Sequence, residues 1–468
     1  MHRLNEMKGF LLVTAAAVLL AGCATVGSDY APPTVHVPSG WREPGNWIVE
    51  ADSSATEDWW STLHDPTLDR LIDRVRTNGL DVREAFARLR EARALRGIAA
   101  ADRFPTVEAG ASYSRLRESE QVPPGTPADD ADLFVAGLDA AWEIDLWGRV
   151  RRAVEAASAD LAASAEDARD VTRLMVAETA AAYVELRAFQ RRVALAQTNV
   201  VLQQQTLELV VARFEAGLVS ERDVAQAATN VEVTRSRVPA LAAGERAAEN
   251  RLAVLLGQAP GALAGELAAL QPIPVPPAQA SIRLPADLIR QRPDIRRAER
   301  IVAAEHARMG VATAELYPRL TLSGSIGAAA GDASDLFRRG SEFFGFGPSL
   351  RWNVFNGGRV RRQIEAQEAR AQQALIRWER TVLVALEETE NAMTGVVRGQ
   401  ARRDFLLKAA AQARRAVELA QFEYREGASD FQIVLDSERA LAQLEDELAQ
   451  ADAGIATQFI ALQKAIGG

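Results

Sequence analysis

The sequence predicts a mainly α-helical chain with a membrane β-barrel portion: internally duplicated long helical hairpins joined to four β-strands per chain. Three observations carry this reading. First, Trp142-x-Ile144-x-x-x-Gly148-Arg149-Val150-Arg151-Arg152 returns 210 residues later as Trp352-x-Val354-x-x-x-Gly358-Arg359-Val360-Arg361-Arg362. The same displacement carries Gly217 onto Gly427 and Gly257 onto Gly467, and upstream a displacement of 213 carries Phe104-Pro105 onto Tyr317-Pro318. Second, Arg149–Phe214 contains neither proline nor glycine, a length that suits a coiled coil and no globular core. Third, the apolar period switches from 3.6 to 2 just before each long helix, which is the signature of strands. A period this long is a duplicated domain half, since solenoid repeats run to roughly 20–50 residues.

In chain order, residues 1–22 read as a signal peptide: Arg3 and Lys8 are its positive end and Phe10–Leu20 its apolar stretch. Leu20-Ala21-Gly22 precedes Cys23, the single cysteine. It can form no internal disulfide, so it is read as the acylated N-terminus of a lipoprotein, with Ala24 behind it. Residues 23–65 form a lipid-anchored N-terminal segment, extended and proline-rich (Pro32, Pro33, Pro38, Pro44). The first repeat, 66–270, opens at Asp65-Pro66, with proline suited to a first helical position. Helix is expected over Pro66–Val75 and Val82–Asp102.

Strands follow. Phe134, Ala136, Leu138, Ala140, Trp142 and Ile144 alternate with Asp139, Glu143 and Asp145. In the second copy Leu320, Leu322 and Ile326 alternate with Thr321, Ser323 and Ser325, and Phe344, Phe346, Leu350 and Trp352 with Ser349, Arg351 and Asn353. Segments of about ten residues are long enough to cross an outer membrane when tilted. After each hairpin comes the long helix, a break at Gly217 or Gly427, and a return helix, Glu221–Leu256 with a kink at Pro239, or Asp430–Ile466. Leu186, Val193, Val200 and Leu207, each with a partner three residues on, set out a coiled-coil seam. The proline-rich linker 271–285 separates this repeat from the second, 286–468.

Composition removes several function classes. A formal charge of −9 argues against nucleic acid as partner. Lys8, Lys408 and Lys464 are the only lysines, which leaves no P-loop or Schiff-base lysine between them. His2, His36, His64 and His306 are scattered singly, so no metal or cofactor site is expected and the chain does not read as an enzyme.

Four strands cannot close a membrane barrel, because open edges are not tolerated in lipid. Closure needs identical chains about an axis: two, three or four. The same axis gathers the helical hairpins into a tube, whose lumen would carry Asp139, Glu143 and Asp145 as an acidic wall favouring cations. The competing architecture is a coiled-coil scaffold lipoprotein, which needs no membrane-length strands.

At the level of motifs the chain resembles outer-membrane efflux channels of the TolC type, in their NodT-like lipoprotein branch. The resemblance rests on Leu20-Ala21-Gly22-Cys23, Asp29-Tyr30-x-Pro32-Pro33, Trp59-Trp60 with Asp65-Pro66-x-Leu68, Arg292-Pro293-Asp294-Ile295-Arg296-Arg297-Ala298-Glu299, Tyr317-Pro318 and Phe355-Asn356-Gly357-Gly358-Arg359. It implies a homotrimer in the outer membrane with a long periplasmic portion. It also implies a periplasmic adaptor and an inner-membrane resistance-nodulation-division transporter as partners, and small molecules as cargo; type I protein secretion is the alternative within the family. The resemblance further places a periplasmic gate at Tyr424, Asp436 and Arg439. Ile433 stands where some members carry a second aspartate, so an apolar constriction replaces a double acidic ring. Arg439, three residues from Asp436, is expected to compensate its charge, and Gly217 and Gly427 to form tips where an adaptor docks.

Overall fold

The computed structural model describes residues 25–42, 48–50, 58–117, 130–277, 280–282 and 291–467. The signal peptide and Cys23 lie outside the described residues. The chain forms two compact units that cut across the sequence repeats. The first takes the N-terminal segment up to Thr34, Leu89–Ala165 and Arg297–Trp378; the second takes Val35–Arg88, Glu166–Arg296 and Glu379–Gly468.

The first unit is built on a four-stranded antiparallel sheet of β1 (Thr106–Leu116), β2 (Ala131–Ile144), β3 (Arg319–Ala330) and β4 (Glu342–Arg351), in that order. β1 and β2 form one hairpin, β3 and β4 the other, and β2 pairs with β3 across the repeats. Successive side chains in a strand point to opposite faces, so the register sorts them. One face collects Val107, Tyr113, Phe134, Leu138, Trp142, Leu322, Ile326, Phe344, Phe346 and Leu350; the other collects Glu108, Ser112, Asp139, Thr321, Ser323, Ser325 and Ser349. Phe344 and Phe346 are 78% and 84% exposed, which water would not tolerate in quantity but a bilayer favours. No helix among the described residues is long and apolar enough to cross a membrane.

At the foot of the sheet the N-terminal segment, expected as a tether, is docked from Thr25 to Tyr30. Arg152 holds it. Its guanidinium donates to the carbonyls of Gly27 and Ser28 at 3.3 and 3.2 Å and to Asp29 Oδ1 at 3.0 Å, and Val26 N–H donates to Trp147 O at 3.0 Å. Tyr30 OH donates to Glu299 at 3.3 Å, and burial together with that carboxylate pushes the phenol up to about 12.

The long helices are α3 (Arg149–Glu215) and α6 (Arg359–Arg425), each 67 residues, or about 100 Å at 1.5 Å per residue. Each contributes residues to both units. In the second unit they meet α1 (Pro66–Asn78), the return helices α4 (Glu221–Leu255) and α7 (Phe431–Ala465), and two three-residue strands, Ile48–Glu50 and Ala280–Ile282, paired in parallel. Two further long helices are α2 (Leu80–Ala101) and α5 (Pro293–Ala314), and short helical turns lie at Trp59–Leu63, Ala264–Leu267 and Ala333–Asp335. Asp65 caps α1, accepting from the N–H groups of Thr67 and Leu68 at 2.9 and 3.1 Å. α4 continues as helix through Pro239, where the sequence suggested a kink.

The predicted seam is only partly the buried one. Leu186 is fully covered, but towards the tip the buried row on α3 is Asn199, Gln203, Thr206 and Val210, while Val200 and Leu207 are half-buried. That row keeps heptad spacing and is largely polar, and Thr206 within it bonds Glu438 of α7 and Gln421 of α6.

Candidate functional site: the helical tip

Gly217 and Gly427 end α3 and α6 in the same way. Leu218 N–H reaches back to Arg213 O at 2.9 Å and Gly217 N–H to Phe214 O at 2.8 Å; Ala428 and Gly427 repeat this to Glu423 and Tyr424 at 2.9 and 3.1 Å. These are Schellman ends, which need a left-handed residue, and both glycines supply it with φ of 74° and 72°. The two turns bring the hairpin ends together over a core of Val210, Ala227, Ala420, Tyr424, Phe431, Val434 and Leu435.

Of the four residues expected at the gate, three share an exposed face of α7: Ile433, Asp436 and Arg439. Tyr424 is not with them. It is 2% exposed in the tip core, its ring 4.5 Å beneath the Arg213 guanidinium and its hydroxyl without a hydrogen-bond partner. The Asp436–Arg439 pairing expected from their spacing is also absent. Arg439 Nε donates instead to Asn230 Oδ1 on α4 at 3.1 Å, while Asp436 accepts from Gln432 at 3.0 Å. Asn230 is buried, so its carbonyl oxygen would go unsatisfied without that bond, and this outweighs a solvated ion pair.

The duplication shows what is special about α7. Residues 430, 433, 436, 438 and 439 are Asp, Ile, Asp, Glu and Arg, where the first copy has Ser220, Asp223, Gln226, Ala228 and Thr229. Asp223 accepts from the backbone N–H of Ser220 at 3.1 Å and so caps α4. Ile433 occupies that position in α7, cannot cap, and stands 53% exposed. The exposed Asp436 has no acidic counterpart in the first copy, where Gln226 stands.

Sequence reasoning missed Glu438. It is 3% exposed, and its Oε1 accepts from Thr206 Oγ1 at 2.6 Å and Gln421 Nε2 at 3.0 Å, tying α7 to α3 and α6. Burial pushes its carboxyl up, and the two hydrogen bonds only partly offset this. A raised carboxyl favours the fold below the ordinary glutamate range and loses that contribution as pH rises through the folded-state value. Glu438→Gln keeps both bonds on its carbonyl oxygen. Its thermal midpoint in detergent is therefore expected to match the parent in acid and exceed it increasingly towards alkaline pH; a constant difference would refute the buried-carboxylate account.

The three residues expected as an acidic wall lie at the sheet. Asp139 stands on its polar face, in register with Glu108 and Ser325. Glu143 is bound in both oxygens by Arg149 at 2.8 and 2.7 Å, and Asp145 accepts from Arg151 N–H at 2.9 Å and Nε at 3.3 Å. Asp145 lies beyond β2. The charges of Glu143 and Asp145 are thus compensated at the start of α3, and Asp139 with Glu108 carries the strand's acidity.

Two repeats, each giving a long helical hairpin and one β-hairpin to a shared half-apolar sheet, find their counterpart in the family model "Outer membrane efflux protein", which matches residues 71–258 and 284–468, one stretch per repeat. The chain belongs to this family. It is an outer-membrane channel for efflux. It is 31% identical over 451 residues to nodulation protein T of Rhizobium leguminosarum bv. trifolii, covering 96% of this chain and 95% of that one. It is 32% identical over 474 residues to the pyoverdine export outer membrane protein OpmQ of Pseudomonas aeruginosa, covering 99% and 97%. Among solved structures, the outer-membrane channel OprN superposes with a TM-score of 0.89 at 36% identity, over 95% of this chain and 99% of that one.

Proposed function

We propose that the protein is the passive exit duct of a tripartite efflux system, working as a homotrimer with a periplasmic adaptor and an inner-membrane resistance-nodulation-division transporter. The observation that carries this is the sheet. It has one apolar face and one polar face, and the outer edges of β1 and β4 lack partners among the described residues. In lipid such edges must be paired. Three chains make a twelve-strand barrel, with the apolar face to lipid and Asp139 and Glu108 towards the lumen. Ile433 and Asp436 line the periplasmic constriction, Arg439 holds their helix to α4, and Tyr424 acts from behind as part of the core that sets the helix ends. The two glycine tips offer the adaptor its docking points. The cargo is small organic compounds. Relatives named for pyoverdine export and for toluene efflux support this over protein secretion. The lipid on Cys23 adds a membrane anchor.

The test is a dye-retention assay in cells lacking their own efflux channel, supplied with an adaptor and transporter of this class. Addition of this chain should lower retained dye several-fold, and the detergent-purified protein should show three copies by native mass spectrometry. Unchanged retention with a single-chain mass would refute the proposal.

A further inference from the structure

Three polar side chains inside the tip break the internal duplication together. Glu438 Oε1 on α7 lies 2.6 Å from Thr206 Oγ1 on α3 and 3.0 Å from Gln421 Nε2 on α6, and Gln421 Nε2 also reaches Thr206 Oγ1 at 3.3 Å. A displacement of 210 carries Glu438, Thr206 and Gln421 onto Ala228, Ala416 and Val211. None of those side chains can make the bonds. The set is therefore written once, and it serves α7, the return helix that carries Ile433 and Asp436.

Its place on that helix matters. Glu438 follows Asp436 by two residues, about 3 Å along the axis and roughly 200° around it. Asp436 is exposed and Glu438 is buried, so the constriction residue and the three-helix clasp occupy opposite sides of one turn. Any movement of α7 against α3 and α6 that withdraws Asp436 parts these bonds.

The clasp encloses a carboxyl without a cation. On α3, Glu208 is exposed and Arg213 stacks on Tyr424 at 4.5 Å; on α6, Glu423 is exposed and Glu418 pairs with Arg415 at 2.9 Å. Glu232 on α4 pairs with Arg235 at 2.6 Å. On α7 itself Arg439 bonds Asn230 and Asp436 bonds Gln432. Burial pushes the Glu438 carboxyl up, the bonds from Thr206 and Gln421 ease it back in part, and no neighbouring charge contributes. The neutral acid fits the same geometry: its O–H can donate to Thr206 Oγ1, whose own hydrogen then goes to Leu202 O at 3.3 Å. Loss of the proton leaves an uncompensated charge among three helices, a cost that lasts until water reaches it.

Building on the channel reading above, we propose that Thr206, Gln421 and Glu438 form a proton-sensitive clasp on the periplasmic tip: protonated Glu438 holds α7 against α3 and α6, and loss of its proton frees α7 and widens the constriction. Glu438 is then a positioning residue for Ile433 and Asp436. A carboxyl held high in the shut tip and ordinary in the open one favours the shut tip in acid. That preference fades as pH rises through the shut-state value, so opening releases a proton and alkaline conditions favour it.

The experiment records the open fraction of the full-length lipidated protein in a planar bilayer while the pH on the tip side is stepped from acid to alkaline. The parent should open more as pH rises, by up to about tenfold per pH unit for each proton released. Glu438→Gln keeps the accepted bonds without a titrating group, and should stay as shut as the parent in acid with no rise. Glu438→Ala removes the clasp and should open more than the parent even in acid. A rise that persists in Glu438→Gln, or a Glu438→Ala variant as shut as the parent in acid, overturns the clasp. A parent that conducts alike at every pH does so too, and leaves the channel reading standing. Should the Glu438 variants fail to reach the membrane, Gln421→Leu decides. It deletes a donor that eases ionisation of Glu438, so the rise should extend to more alkaline pH; an unshifted rise overturns the proposal. A parent that inserts as a trimer and never conducts removes the channel reading itself.

Discussion

Phe346→Arg is expected to abolish insertion into the outer membrane. Phe346 stands mid-strand on the apolar face of β4 and is 84% exposed in the single chain. An arginine facing lipid near the midplane of a barrel costs about 2–4 kcal/mol, and a closed assembly carries the substitution once per subunit. The protein should disappear from the outer-membrane fraction. Ser325→Arg is the counterpart on the polar face, beside Asp139. It should insert normally and lower the preference for cations, because it places positive charge in the lumen. Equal insertion of both variants would mean that the faces are assigned wrongly.

Arg292→Ala is expected to destabilise the second unit by about 3–5 kcal/mol, the range for removing one partner of a buried ion pair. The Arg292 side chain is 3% exposed. It binds both oxygens of Asp294, at 3.0 and 2.7 Å, reaches Glu388 on α6 at 2.8 Å, and donates to Ala465 O at the end of α7 at 2.8 Å. Burial alone would push the Asp294 carboxyl up, and the Arg292 guanidinium more than reverses that, holding it below the usual carboxylate range. Removal of the arginine therefore strands two carboxylates and a helix-terminal carbonyl together. Arg292→Lys restores charge without the planar fork and should recover only part of the loss. Denaturant midpoints of the purified channel measure both, and a loss below about 1 kcal/mol would show the network to be dispensable.

The motif around Arg292 was visible in the sequence as a mark of resemblance, but its work was not, since two of the partners, Glu388 and Ala465, lie 96 and 173 positions away. The long helices were legible almost to the residue. The reason is physical: Arg149–Phe214 offers no breaker, and Gly217 and Gly427 are the points where a left-handed residue is required. The strands with large side chains, Phe134 to Ile144 and Phe344 to Leu350, announced themselves by alternation. β1 was the faintest, because Ala109, Gly110, Ala111 and Ser112 at its centre are too small to mark two faces.

Polar burial was the part hidden from pattern reading. Thr206, Gln421 and Glu438 look like solvent residues in a sequence, and only the packing of three helices shows that they bond one another. The same holds for Arg152, whose duplicate Arg362 ends the same Gly-Arg-Val-Arg-Arg run and has the opposite environment. At the tip, the family resemblance pointed to Ile433, Asp436 and Arg439, which share an exposed face of α7, and to Tyr424, which precedes the turn and lies in the core.

The central claim is that this chain forms a conducting duct narrowed at its helical tip. The measurement that tests it most directly is single-channel conductance of the lipidated protein in a planar bilayer, with Asp436→Ala beside it. The account predicts small, cation-preferring openings for the parent, and larger, less selective ones for the variant, because the exposed Asp436 is the acidic group of the proposed constriction. Absence of conductance in both, with the protein remaining in water once its lipid is removed, would contradict the account and leave a periplasmic helical scaffold in its place.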